Sequence, residues 1–171
     1  MSAGIGRARH RLAGGVFAAL AVALPVCAQE LRELPVVPDY SLFMHPDDTE
    51  QGDGPAGTFG KAVPVPSGQK VWWIDIIHFE EGSGGLTYRF RFLAPQIGGA
   101  APLSSDVALL DIAALCETYV VPRIATPGPA PIQIMISLSD RILPFGETAP
   151  DAVQYFEAFS IADGACTWEF Y

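Results

Sequence analysis

Between Leu86 and Ala94, Leu86, Tyr88, Phe90, Phe92 and Ala94 alternate with Thr87, Arg89, Arg91 and Leu93, the period-two pattern of a strand with one buried and one more polar face. The run before it, Val71 to Glu80, is apolar at both parities: Trp72, Ile74, Ile76 and His78 on one, Val71, Trp73, Asp75, Ile77 and Phe79 on the other. Glu81-Gly82-Ser83-Gly84-Gly85 joins the two runs as a five-residue hairpin loop. Closing that loop pairs Glu80 with Leu86, and so sets Ile76 opposite Phe90, Ile74 opposite Phe92 and Asp75 opposite Arg91. A slip of one residue would set Asp75 against Phe92, so the charge pair helps to fix the register.

The period then changes. Ser104-Ser105-Asp106 begins a helix that runs to about Tyr119, with a serine N-cap and an early acid at the positive end of the dipole. Leu109, Ile112, Ala113, Cys116 and Val120 recur every three or four residues, and Pro122 argues against helix beyond Val121. After the stiff stretch Pro127-Gly128-Pro129-Ala130-Pro131, Ile132, Ile134, Ile136 and Leu138 mark a third strand, and Val153 to Ile161 a fourth. Asp163-Gly164 predicts a two-residue turn into a fifth strand, pairing Ala162 with Ala165, Ile161 with Cys166 and Phe159 with Trp168. The order ββαβββ, with no internal repeat, predicts an α+β domain: one antiparallel sheet of five strands with the helix on one face.

The start of the chain sets its address. Arg7, Arg9 and Arg11 precede an apolar run from Leu12 to Leu24 and small residues near Ala28, the outline of a signal peptide cleaved after Ala28. Val26 is bulky where a small residue normally precedes a lipidated cysteine, which argues against a lipoprotein at Cys27. The apolar run is too short to span a bilayer of about 30 Å, and no later run is long enough. Residues 29–64 then form an extended, acidic, Pro- and Gly-rich segment, and residues 65–171 the domain. The expectation is a soluble periplasmic or secreted protein.

Losing three arginines with residues 1–28 takes the formal charge from −9 to −12, a surface that repels nucleic acid and anionic lipid. Only Cys116 and Cys166 remain, and an even pair in an oxidising compartment reads as a disulfide between a helix and a strand that both face the core.

Ile136-Ser137-Leu138-Ser139-Asp140-Arg141, Pro144-Phe145-Gly146-Glu147, Gln154-Tyr155-Phe156-Glu157 and Asp163-Gly164-Ala165-Cys166-Thr167-Trp168-Glu169 together resemble a family of short exported alphaproteobacterial proteins, a domain of unknown function. The resemblance extends from about Val65 to the C-terminus and takes in Arg89-Phe90-Arg91-Phe92 and Leu115-Cys116. It implies export and one small domain, and carries over no catalytic residue.

Candidate chemistry is sparse. His45, Asp47, Asp48, Glu50 and Asp53 share an acidic loop, but their spacing fits no calcium loop, and no metal site or cofactor is expected. Ser139, His78 and Asp140 or Asp75 supply the residue types of a serine hydrolase without the Gly-x-Ser-x-Gly turn that would place the serine. Glu157 and Glu169 are the residue types of a glycosidase pair, but the hairpin register sets them on opposite faces. Trp73, Asp75, Arg89 and Arg91 share the second face of the first hairpin, a surface for another envelope protein or a small anionic ligand. The reading is a non-enzymatic binding or interaction module; the alternative is a small hydrolase using His78 with a nearby acid or serine.

Overall fold

A computed structural model describes residues 48, 52–82, 85–124 and 130–170, without the side chains of residues 78–82. The signal peptide, Cys27, most of the segment 29–64, His45, Asp47, Glu50, the stretch 127–129 and the His78 and Phe79 side chains lie outside the described residues. The described strands are β1 (Trp72–Gly82), β2 (Gly85–Leu93), β3 (Gln133–Ser139), β4 (Gln154–Ala162) and β5 (Ala165–Trp168), neighbours in that order in one sheet. Helix α1 (Ser105–Leu115) runs on through a wider π turn (Cys116–Val120) into α2 (Val121–Ile124). The α+β class, five strands and one-sided helix agree with the sequence.

The sheet is mixed, not antiparallel throughout. β2 and β3 run parallel, with Thr87 opposite Gln133 and Leu93 opposite Ser139. The helix between them returns the chain to the end of the sheet where β2 began, and such a crossover makes the flanking strands parallel. The other three pairings are antiparallel.

In the first hairpin the predicted register holds only in the middle, at Asp75 with Arg91 and Ile76 with Phe90. Register shifts lie on either side, between Trp73 and Asp75 and between Ile77 and Glu80. Each adds one residue to β1, so Trp73, not Ile74, faces Phe92, and Glu80 meets Thr87 rather than Leu86. The hairpin closes on Gly82 and Gly85, tighter than the expected five-residue loop. The first bulge reverses the parity of β1. Trp73 therefore lies fully buried in the main core with Ile76, Phe90 and Phe92, while Ile74 joins Trp72 and Leu93 in a small second cluster.

α1 begins as expected: the Ser104 hydroxyl accepts the Val107 N–H at 3.4 Å, and Asp106 lies in the first turn. Its end differs, because helical turns continue to Ile124 through Pro122. Proline lacks an N–H and its ring clashes with the carbonyl four residues back. The π turn relieves this, since the Val121 N–H bonds the Cys116 carbonyl five residues earlier and the wider coil draws the backbone away from the proline ring.

The last hairpin keeps the predicted register throughout, Ala162 with Ala165 to Phe159 with Trp168. Asp163 and Gly164 have φ of 53° and 76°, the left-handed pair a two-residue turn requires. Cys116 and Cys166 are joined, with Cα atoms 6.2 Å apart, and tie the π turn to β5.

The parity reversal is testable by urea unfolding. Trp73→Ala should cost about 3–5 kcal/mol, the range for emptying a buried tryptophan site, and half-buried Ile77→Ala about 1 kcal/mol. Equal costs would contradict the bulge.

Candidate functional site

Of the four residues expected on the second face of the hairpin, three come together. Arg91 holds Asp75 in a two-pronged ion pair, Nε to Oδ1 at 2.6 Å and NH2 to Oδ2 at 2.8 Å. Phe145, from the loop after β3, lies over the guanidinium groups of both Arg89 and Arg91, with ring centroids 5.4 and 5.8 Å away. Trp73 is on the opposite face, its indole N–H donating to the Asp75 carbonyl at 2.9 Å. With the fork of Arg91 filled by Asp75, an anionic ligand there would have to displace a carboxylate already in place. A space of about 20 Å³ beside Arg91, Ser137 and Ser139 is water-sized.

The strand register separates the backbone positions of His78 and Ser139. Ser139 stands beside Leu93, whereas His78 follows Ile77, the partner of Arg89. Arg89 and Leu93 are about 13 Å apart along the strand at 3.3 Å per residue. Asp140 is gripped by Arg141, as Asp75 is by Arg91. Glu157 accepts the Trp168 indole N–H at 2.7 Å and Glu169 the Gln133 amide at 2.9 Å, so each carboxylate serves its own partner.

The acidic loop residues that are described serve as anchors. Asp53 accepts the Trp72 indole N–H at 2.8 Å and the Ala62 amide at 2.7 Å, and these bonds, the indole first, hold its carboxyl below the usual value. Gly54 has no side chain to collide with the Trp72 ring, which lets the loop lie against it. Among the described residues no group of three or more metal-ligating side chains forms.

A larger concavity than the space beside Arg91 lies elsewhere among the described residues. A cleft of about 610 Å³ opens between Lys61, Ala62, Val63 and Pro64 on one wall and Thr118, Tyr119 and Arg123 on the other, with Asp48 at its base. The first wall is fixed to the edge of β1 by the Val63 amide on the Val71 carbonyl at 2.7 Å and the Phe59 amide on the Trp73 carbonyl at 2.9 Å. The second wall comes from the π turn and α2. Arg123 lies flat on the Tyr119 ring at 3.4 Å, donates to the Tyr119 carbonyl at 2.9 Å, and forks Asp48 through Nε at 3.1 Å and NH2 at 2.7 Å. The Tyr119 hydroxyl donates to the same carboxylate at 2.9 Å.

Arg123 and Asp48 are almost fully buried, so the pair is stable only because its donors and acceptors are matched. Burial pushes the Tyr119 phenol far above its usual value, against the pull of the Arg123 cation, and keeps it a neutral donor. The cleft thus combines the apolar side chains of Ala62, Val63 and Pro64 and the Tyr119 ring with the charged Lys61 and a locked polar base.

Sequence reasoning missed Tyr119, Arg123 and the buried Asp111. Asp111 accepts the Ser67 amide at 2.9 Å, the Ser67 hydroxyl at 2.6 Å and the Gln69 side-chain amide at 2.7 Å, and so ties the approach to β1 onto the helix. The available signal was position: Ala108, Asp111, Ile112, Leu115, Tyr119 and Arg123 all fall on the buried stripe of the helix, and a charge there demands a buried partner.

Asp48→Ala should cost about 3–5 kcal/mol in urea unfolding by stranding Arg123, whereas Asp48→Leu with Arg123→Met should be near neutral. Equal losses in the single and double variants would contradict this account of the pair. The Tyr119 proton is bound more tightly in the folded than in the unfolded chain, so its contribution to stability is level below about pH 10 and lost above it. Tyr119→Phe should flatten that alkaline decline in the unfolding midpoint; an unchanged slope would count against it.

No curated protein and no solved structure matches the chain. Residues 46–171 match a family described as a family of unknown function (DUF6497), and the chain belongs to that family.

Proposed function

We propose that the chain is an exported, non-enzymatic binding module that takes a small, partly apolar ligand in the cleft beside Tyr119. The observation that carries the reading is the cleft itself: its volume of about 610 Å³ lies within the usual range for ligand pockets, and its base is already organised. An aromatic ring, a proline and aliphatic side chains offer apolar contact, and the Arg123, Asp48 and Tyr119 cluster holds the wall rigid.

Export rests on the three arginines, the apolar run and the small residues ahead of Gln29, and places the protein in the periplasm or outside the cell. A bridge between Cys116 and Cys166 is compatible with that compartment. The alternative of a small hydrolase using His78 has less support, since the strand register sets Ser139 far along the sheet from it.

A second reading, contact with another envelope protein, uses the face carrying Asp75, Arg89 and Arg91. Asp75, Arg91, Ser137 and Phe156 form one row across four strands, and Phe156 is 63% exposed at its end. Both readings can be tested on the full chain by nitrogen-15 NMR with a library of small acids, sugars and amphiphiles. The cleft reading expects shifts confined to Val63, Thr118 and Tyr119; shifts centred on Arg89, Arg91 and Phe156 would favour the second face, and none at about 1 mM would overturn the cleft.

Export predicts that protein recovered from a Gram-negative periplasm has an intact mass beginning at Gln29 and no free thiol. A full-length cytoplasmic chain with reduced cysteines would contradict it.

A further inference from the structure

We infer that the Cys116–Cys166 bridge, together with Glu117, is a redox-dependent clamp on the cleft, an inference that rests on the cleft being the binding site. Cys116 opens the π turn and its carbonyl accepts the Val121 N–H that defines the turn. Thr118 and Tyr119 follow within that same turn, and Arg123 comes one turn later. The wall of the cleft is therefore built on the segment the disulfide holds.

The next residue makes a second tether to the same place. The Glu117 carboxylate accepts the Cys166 N–H at 2.9 Å, so two consecutive residues of the helix are fixed to one residue of β5. β5 is an edge strand of four residues, held to the sheet along one side by β4 alone. Neither the helix nor β5 has another covalent restraint against sliding past the other.

Arg123 couples this clamp to the base of the cleft. A shift of the π turn would move Tyr119 and its hydroxyl away from Asp48 and separate the Arg123 guanidinium from the ring beneath it. A rigid stack joined to a buried ion pair has few intermediate arrangements, so a small movement at Cys116 is expressed as gain or loss of the whole cluster.

Cys116 is fully buried and Cys166 half-buried, so an attacking thiolate approaches from the β5 side. A dithiol reductant attacks one sulfur, forms a mixed disulfide and is released as its own cyclic disulfide. The protein sulfurs receive two electrons and two protons in total and become two thiols. In the reduced protein the Glu117 carboxylate is the tether from the π turn to Cys166 that remains.

The test is amide hydrogen exchange by NMR on the full chain, oxidised and then reduced with a dithiol, with no ligand present. The clamp predicts that reduction accelerates exchange at Val121 and Arg123 at least tenfold more than at Ile136 in the central strand. Parallel acceleration at all three sites would show that the bridge stabilises the fold generally, and would overturn the proposal. Should the reduced chain unfold, Glu117→Ala in the oxidised protein supplies the second measurement: a selective increase of at least tenfold at Val121 is expected, and unchanged exchange there overturns the clamp. Because no ligand is used, a failed ligand screen beside selective exchange would remove the binding reading and leave the clamp standing.

Discussion

The hydrogen bond from the Val121 N–H to the Cys116 carbonyl, five residues back rather than four, is the constraint on which the working end of the molecule depends. Within eight residues the helix supplies a covalent link to β5 at Cys116, a carboxylate to the β5 backbone at Glu117, two cleft side chains at Thr118 and Tyr119, and the buried cation Arg123. An unbroken α-helix would turn each later residue by about 100° per step along a narrower coil, and these groups would leave their partners. Pro122 makes the wide turn the favourable solution, since it has no N–H to give to Thr118 and its ring crowds that carbonyl in an α-helix.

Four aspartates serve as anchors between segments distant in sequence or on neighbouring strands. Asp48 holds the end of the helix, Asp53 the approach to β1, Asp75 the neighbouring strand and Asp111 the turn at residues 67–69. Each carboxylate meets two or more donors from a segment distant in sequence or from the next strand. Long irregular stretches have few backbone partners of their own, and charged acceptors give stronger hydrogen bonds than neutral ones. The result is an irregular segment, residues 52–70, fastened to both the sheet and the helix.

The sequence made most of the element order legible, and the reasons differ by element. The β4–β5 hairpin could be read to the residue because Asp163-Gly164 admits one turn geometry and the apolar partners across it agree. β1 could not, because it is apolar at both parities; alternation has no power to locate a bulge when either face would accept the side chain. That ambiguity reversed Trp73 and Ile74, and with them one of the four residues assigned to the hairpin's outer face. The parallel pairing of β2 with β3 followed from the helix between them, a connection visible in the sequence whose geometric consequence was the missing step. The cleft was the least legible feature. Its base joins Asp48 to Tyr119 and Arg123, 71 and 75 positions away, and nothing in local spacing announces such a pairing.

The most direct test of the central claim is the through-bond coupling between amide nitrogen and carbonyl carbon across hydrogen bonds at the end of the helix. The account predicts a cross-peak from the Val121 nitrogen to the Cys116 carbonyl carbon. A cross-peak to the Glu117 carbonyl carbon instead would mean an ordinary α-turn, and would contradict it.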